Sequence, residues 1–67
     1  MKLNRSYQLY GIDDDSCSGV LRRIRQLMEL SSVSLEHFQF LNAQTALTRA
    51  IEIAGYLQTD IEEQERP

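Results

Sequence analysis

The chain has 67 residues, about half the length of a typical domain, so it can bury only a small core by itself. Its single cysteine excludes an internal disulfide, and 7 basic against 10 acidic residues, a net charge of −3, disfavour nucleic-acid binding. No apolar run approaches the ~20 residues that cross a bilayer, so no membrane insertion is expected.

The first segment, residues 1–12, mixes apolar and polar residues in a pattern that fits both a strand and a helix. Leu3, Tyr7 and Tyr10 would share one face of a helix, and Gly11 is a suitable residue to end it. A helix this short needs a surface to pack on. We predict an N-terminal arm or a short extra helix that folds back on the rest of the chain.

A first amphipathic helix is predicted at about residues 14–30. Residues 13–16, three aspartates and a serine, are good N-cap candidates, and carboxylates are favourable near the positive end of the helix dipole. Apolar residues then recur at steps of three and four and predict one buried face. These residues are Cys17, Val20, Leu21, Ile24, Leu27 and Met28.

Residues 31–34 interrupt this pattern with three serines that compete with helix continuation, which predicts a tight turn. Ser34 is a suitable N-cap for a second helix, with Val33 and Phe38 as a hydrophobic staple. We place this helix at about residues 35–60. Its predicted core seam consists of Phe40, Ala43, Leu47, Ala50, Ile51, Ala54, Leu57 and Ile61.

The small residues Ala43, Ala50 and Ala54 would let the two helices approach closely. The predicted fold is all-α: an antiparallel two-helix hairpin over residues 13–61. The arm of residues 1–12 precedes it, and a frayed acidic tail of residues 62–67 follows it.

Reactive side chains are few, and their spacing predicts no catalytic, cofactor or metal site. The aspartates at 13–15 lack the alternating ligands, turn glycine and distal glutamate of a calcium loop, which favours helix capping. Cys17 and His37 lack an orienting third group, and Cys17 on an apolar face usually packs as a small hydrophobe. Arg22, Arg23 and Arg25 are interpreted as a solvated face, with a salt bridge to a partner as the alternative; RNA binding is not expected.

Three apolar residues of the second helix region lie away from the predicted seam: Phe38, Leu41 and Tyr56. One interpretation is internal: Phe38 packs in the staple, Leu41 near the turn, and Tyr56 under the arm. The other is an exposed apolar patch, which on a small acidic protein marks a protein–protein interface.

The run Phe38-Gln39-Phe40-Leu41, followed by Gln44, Ala46-Leu47, Ala50-Ile51, Ile53 and Tyr56-Leu57, resembles the second helix of the YscE/PscE-type co-chaperones of type III secretion. The resemblance covers about residues 36–57. It implies a non-enzymatic, cytoplasmic hairpin that pairs with a TPR-like chaperone and helps keep the needle subunit soluble before export. The partner-binding residues it implies are Phe38, Phe40, Leu41, Leu47, Ile51 and Tyr56.

A cytoplasmic location also fits the single free thiol and the absence of a continuous apolar stretch in residues 1–12. The alternative function is a small homodimeric helical regulator or adaptor of plasmid or phage type. A homodimer of the isolated chain is compatible with both functions, because an orphan interface can pair with itself.

Overall fold

The computed structural model describes Leu3 and residues 5–66. A single 3-10 turn, Gln8–Tyr10, precedes two helices, α1 (Cys17–Glu36) and α2 (Phe40–Glu65). The helices form an all-helical antiparallel hairpin, which confirms the predicted fold class, and the N-terminal segment folds back on it. Gly11 ends the 3-10 turn in the left-handed conformation, as the sequence predicted.

Helix α1 begins at Cys17, three residues later than predicted. Ser16 is the N-cap, and its hydroxyl accepts a hydrogen bond from the Gly19 amide at 3.1 Å. The Asp14 carboxylate in turn accepts from the Ser16 amide at 2.9 Å, and the hydrogen bonds with Ser16 lower the pKa of Asp14. Asp14 therefore belongs to the capping turn, because its carboxylate bonds the amide of the N-cap residue itself.

Helix α1 continues to Glu36, so the predicted turn at residues 31–34 is wrong. Ser31 and Ser34 are buried, and the Ser31 hydroxyl donates to the Ala43 carbonyl oxygen of α2 at 2.9 Å. This hydroxyl makes a bond across the hairpin, so it does not break its own helix.

The turn lies at residues 37–39 and closes α1 with a Schellman motif. The Phe38 amide donates to the Leu35 carbonyl at 3.0 Å and the Gln39 amide donates to the Ser34 carbonyl at 2.8 Å. Phe38 takes the left-handed conformation, with φ of 59°, that glycine usually supplies here. Ser34 therefore lies inside α1 and does not cap the second helix. Val33 and Phe38 are both exposed and do not form the predicted hydrophobic staple.

Helix α2 starts at Phe40, after the N-cap residue Gln39, and not at about residue 35 as predicted. Residues 62–65, predicted as a frayed tail, are helical, and Pro67 lies outside the described residues. Gln39 makes no side-chain capping bond. The start of α2 is instead fixed by the Schellman turn that ends α1.

The predicted core seam of α2 is wrong, because the helix is rotated about its axis relative to the prediction and buries a different row of residues. Ala43, Ala50 and Leu57 are buried and Ile61 is partly buried, as predicted. Phe40, Leu47, Ile51 and Ala54 are exposed. The observed buried row of α2 consists of Ala43, Ala46, Ala50, Ile53, Leu57 and Asp60.

The buried residues of α2 are determined by the alanines that face α1 and by the contacts of the arm, and not by the size of the side chains. Ala43, Ala46 and Ala50 face α1 on the part of the hairpin near the turn, where α1 presents Ser31 and Ser34. Further along α2, the arm contributes buried residues to the core. The described core consists of Leu3, Tyr7 and Ile12 with Val20, Leu27, Ala46, Ala50, Ile53 and Leu57.

The molecule measures 47 × 20 × 16 Å, so its short dimensions allow little more than one layer of two helices. Among the described residues, no helix combines the length and apolarity needed to cross a membrane.

Candidate partner-binding surfaces

Each helix has an exposed apolar stripe directly beside its buried row. On α1, exposed Leu21 and Met28 each follow a buried residue, Val20 and Leu27. One residue step turns a helix by about 100°, so these side chains lie on the same shoulder of the buried row. Leu35 follows buried Ser34 in the same way.

The stripe of α2 has the same relation to its own buried row. Leu47 follows buried Ala46, and Ile51 follows buried Ala50. Because the helices are antiparallel and their buried rows face each other, turning each helix in the same sense brings both stripes to one side of the hairpin. We call this side the open face; it comprises Leu21, Met28, Leu35, Phe40, Leu47 and Ile51, which are 42–64% exposed.

The arm lies on the opposite side of the hairpin. Tyr56 and Arg49, which each precede a buried residue of α2, both contact Tyr10 of the arm. The Tyr10 and Tyr56 ring centroids are 5.7 Å apart, and the Arg49 guanidinium lies 5.4 Å from the Tyr10 ring centroid. The arm therefore covers part of one side, and within the described residues nothing covers the other.

The six predicted partner-binding residues separate into different places. Phe40, Leu47 and Ile51 lie together on the open face. Phe38, 79% exposed at the turn, packs edge-on against Phe40 with 6.4 Å between ring centroids, and so extends the face at the tip. Leu41, 78% exposed, is turned about 100° from Phe40 and faces away from α1.

Tyr56 contacts the arm, as the internal interpretation expects, but it is still 38% exposed. The Arg5 guanidinium lies 5.2 Å from the centroid of its ring, and Tyr10 packs against it. The Tyr56 hydroxyl raises the pKa of Tyr10, and partial burial of Tyr10 adds to this effect. Tyr56 therefore holds the arm and is not part of the open face.

The contribution of α1 to the open face is not predicted from the sequence. Leu21 and Met28 were assigned to the core, and Leu35 to the start of the second helix. Their spacing of seven residues was the available signal, since residues seven apart lie on nearly the same side of a helix. Because the turn was predicted at residues 31–34, Leu35 was not counted in the same helix as Leu21 and Met28.

A buried polar cluster fixes the arm to the end of α2. The Tyr7 hydroxyl donates to Asp60 Oδ2 at 2.5 Å, and both side chains are fully buried. Arg5 Nε lies 3.6 Å from Asp60 Oδ1, too far for a hydrogen bond but close enough to offset its charge. Burial and the bond to Asp60 raise the pKa of Tyr7 above its usual range.

The reactive residues considered from the sequence do not converge. Cys17 begins α1 and His37 follows its end, which separates them by roughly 30 Å along the helix. Of the acidic triplet, Asp14 serves the capping turn. No group of three metal-ligating side chains occurs within the described part of the chain.

The three basic residues near the start of α1 differ in exposure, and Arg22 and Arg23 border a depression that also contains Asp13 and Asp14. Arg22 and Arg25 are exposed, whereas Arg23 is partly buried and points toward the arm side.

Comparison with protein-family models, curated proteins and solved structures found no match. The surfaces of the hairpin therefore provide the basis for a proposed function.

Proposed function

We propose that this chain is a binding subunit that covers an apolar surface of another protein with its open face. The observation that carries the proposal is the apolar stripe on both helices, on the side of the hairpin that the arm leaves uncovered. A contiguous apolar surface that spans two helices is costly to expose to water and is typical of interaction sites.

The face is also well suited to helical partners. Its side chains project from two antiparallel helices at steps of three, four and seven residues, and such ridges pack into the grooves of another helical layer. The six residues of the open face carry no charge, so a partner would desolvate no ion there. A helical-repeat protein with an apolar groove fits this surface.

The specific role that we propose is that of a cytoplasmic co-chaperone of type III secretion. The supporting feature is the resemblance of residues 36–57 to the YscE/PscE-type proteins, because Phe40, Leu47 and Ile51 within this stretch lie on the open face. The hairpin would bind a TPR-like chaperone and, through it, help to keep the needle subunit soluble. It would need neither a cofactor nor a substrate.

Co-expression with TPR-like chaperones from secretion gene clusters tests this role. Wild-type chain should co-purify with its chaperone, and Leu47→Glu, which places a charge at the centre of the open face, should reduce recovery by at least tenfold. Leu41→Glu is the matched control, because this leucine is exposed on another side of α2. Equal recovery of both variants would refute the open face as the binding surface.

A homodimeric regulator is the second candidate. The uncharged, seven-residue-spaced stripe would also pack on a second copy to give a four-helix bundle. Sedimentation equilibrium distinguishes the two functions. A stable dimer that a chaperone does not displace, and that Leu47→Glu dissociates, would favour the regulator; displacement by the chaperone would favour the co-chaperone.

A further inference from the structure

A groove of about 570 Å³ lies on the arm side of the hairpin, between the end of the arm and the turn. Its floor is formed by buried Leu27 and Ala46. Leu30 and Leu9, 54% and 90% exposed, form apolar walls. The volume is within the usual range of ligand sites.

The charge of the groove is opposite to that of the whole protein. Of the described residues that line it, Arg23 and Arg49 are charged and none is acidic, although the chain carries a net charge of −3. Arg23 Nε is buried and has no hydrogen-bond acceptor among the described residues. Arg49 has one distant ionic contact, 3.9 Å to Glu52, and both of these side chains are half exposed.

The arm itself shows which kind of segment this side of the hairpin accepts. Its 3-10 turn, Gln8–Tyr10, is followed by Gly11 and Ile12, and the arm buries Tyr7 and Ile12 against the helices. The groove begins where this turn ends, since Leu9, Tyr10 and Gly11 line it. A second helical turn placed there would continue along the same side of the hairpin.

We propose that the groove binds a short amphipathic helical segment of a partner protein, with a carboxylate directed at Arg23 and Arg49. Apolar side chains of the segment would pack on Leu27, Leu30 and Ala46. A carboxylate within the groove would offset the charge of the two arginines, and hydrogen bonds between guanidinium and carboxylate are among the strong ones in proteins.

None of the described acidic residues lines this groove, although Asp13 and Asp14 border a neighbouring depression with Arg23, and Glu52 lies 3.9 Å from Arg49. Glu62, Glu63 and Glu65 lie at the far end of α2, whereas the groove ends at Arg49. The intervening helical residues hold them about 20 Å away. A carboxylate inside the groove would therefore come from another molecule.

The binding site is separate from the open face, so the two can be tested independently. The probe is a phage-displayed library of random dodecapeptides, selected on the immobilised full chain. The expected pool combines apolar residues at helical spacing with Asp or Glu. Its synthetic peptides should bind at least tenfold more weakly when their acidic residue is replaced by the amide, Asn or Gln.

Variants of the chain complete the test. The pair Arg23→Gln and Arg49→Gln, and separately Leu30→Glu, should each weaken peptide binding at least tenfold. Leu35→Glu, a matched change on the open face of the same helix, should leave it unchanged and so separates this site from the proposed chaperone surface. Circular dichroism of each variant shows whether the hairpin persists. Arg49→Gln alone changes a half-exposed side chain and removes its contact with the Tyr10 ring, but no buried group.

The proposal would be overturned by the absence of an enriched pool, by a pool without acidic residues, or by peptide binding that survives the arginine substitutions. Self-association of the chain that Leu30→Glu abolishes would also overturn it, since the occupant would then be a second copy.

Discussion

Tyr7 and Asp60 join two parts of the chain that are 53 residues apart, and their hydrogen bond is fully buried. Tyr7→Phe would leave Asp60 Oδ2 without its donor, which should lower the free energy of unfolding by about 1–3 kcal/mol. Urea denaturation followed by circular dichroism measures this. The double variant Tyr7→Phe with Asp60→Leu removes both polar groups and should recover most of the loss; an equally unstable double variant would contradict the explanation.

The raised pKa of Tyr7 predicts that the folded chain loses stability at alkaline pH. The pKa of Tyr7 is raised in the folded chain by burial and by the bond to Asp60. Its contribution is therefore complete below the unfolded tyrosine pKa of about 10 and declines as the pH rises above it. Stability measured by urea denaturation should fall above about pH 10 in the wild type and fall less steeply in Tyr7→Phe. An identical pH profile in both proteins would exclude Tyr7 as the cause.

Phe38 occupies a backbone position that disfavours it. A non-glycine residue in the left-handed conformation costs about 1–2 kcal/mol, and the Phe38 side chain recovers little by burial because it is 79% exposed. Phe38→Gly should stabilise the isolated hairpin by about 1 kcal/mol and weaken partner binding. Thermal unfolding and chaperone affinity measure the two effects; destabilisation would show that the ring supports the fold instead.

The end of α1 is the point at which the helices differ most from the sequence prediction. Three serines within four residues have the composition of a turn, but Ser31 uses its hydroxyl across the hairpin. Sequence periodicity does not reveal a hydrogen bond to a residue of another helix. The number of helices, their order and their amphipathic character were predictable, because each depends on local patterns and on short-range capping.

The course of α1 through residues 31–34 has a direct test. Ser32 is exposed within the helix, so Ser32→Pro should destabilise the chain by about 3 kcal/mol or more, because proline removes a helical hydrogen bond and clashes with the preceding turn. Ser32→Ala is the control and should be neutral or slightly stabilising. Tolerance of proline, seen as an unchanged urea midpoint, would indicate a turn at this position.

The candidate site was predictable only in part. Phe40, Leu47 and Ile51 were predicted both as partner-binding residues and as members of the core seam; they are exposed, so their place in the seam is wrong and their partner-binding role stays a prediction. Large apolar residues usually indicate the buried face of a helix, but here alanines occupy it. Close packing of Ala43, Ala46 and Ala50 against α1 decided the rotation of α2, and it depends on the exact course of both helices.

The uncovered open face and the small core together predict that partner binding stabilises the folded chain. A chain of this size buries little apolar surface alone, so binding should contribute substantially to its stability. A partner present at 100 times its Kd adds about 2.7 kcal/mol. For a small domain this corresponds to a rise in Tm of roughly 10–20 °C.

Differential scanning calorimetry of the chain with increasing chaperone measures this rise. Leu47→Glu should abolish it, whereas Leu41→Glu should preserve it. A Tm of the wild-type chain that does not depend on chaperone concentration would contradict stabilisation by binding.

Methyl NMR of the labelled chain during titration with the chaperone tests the role of the open face most directly. The methyl signals of Met28, Leu47 and Ile51 should shift or broaden at equimolar chaperone, while that of Leu41 stays in place. Unchanged open-face signals, or changes centred on Leu41, would contradict the assignment of the open face as the partner-binding surface.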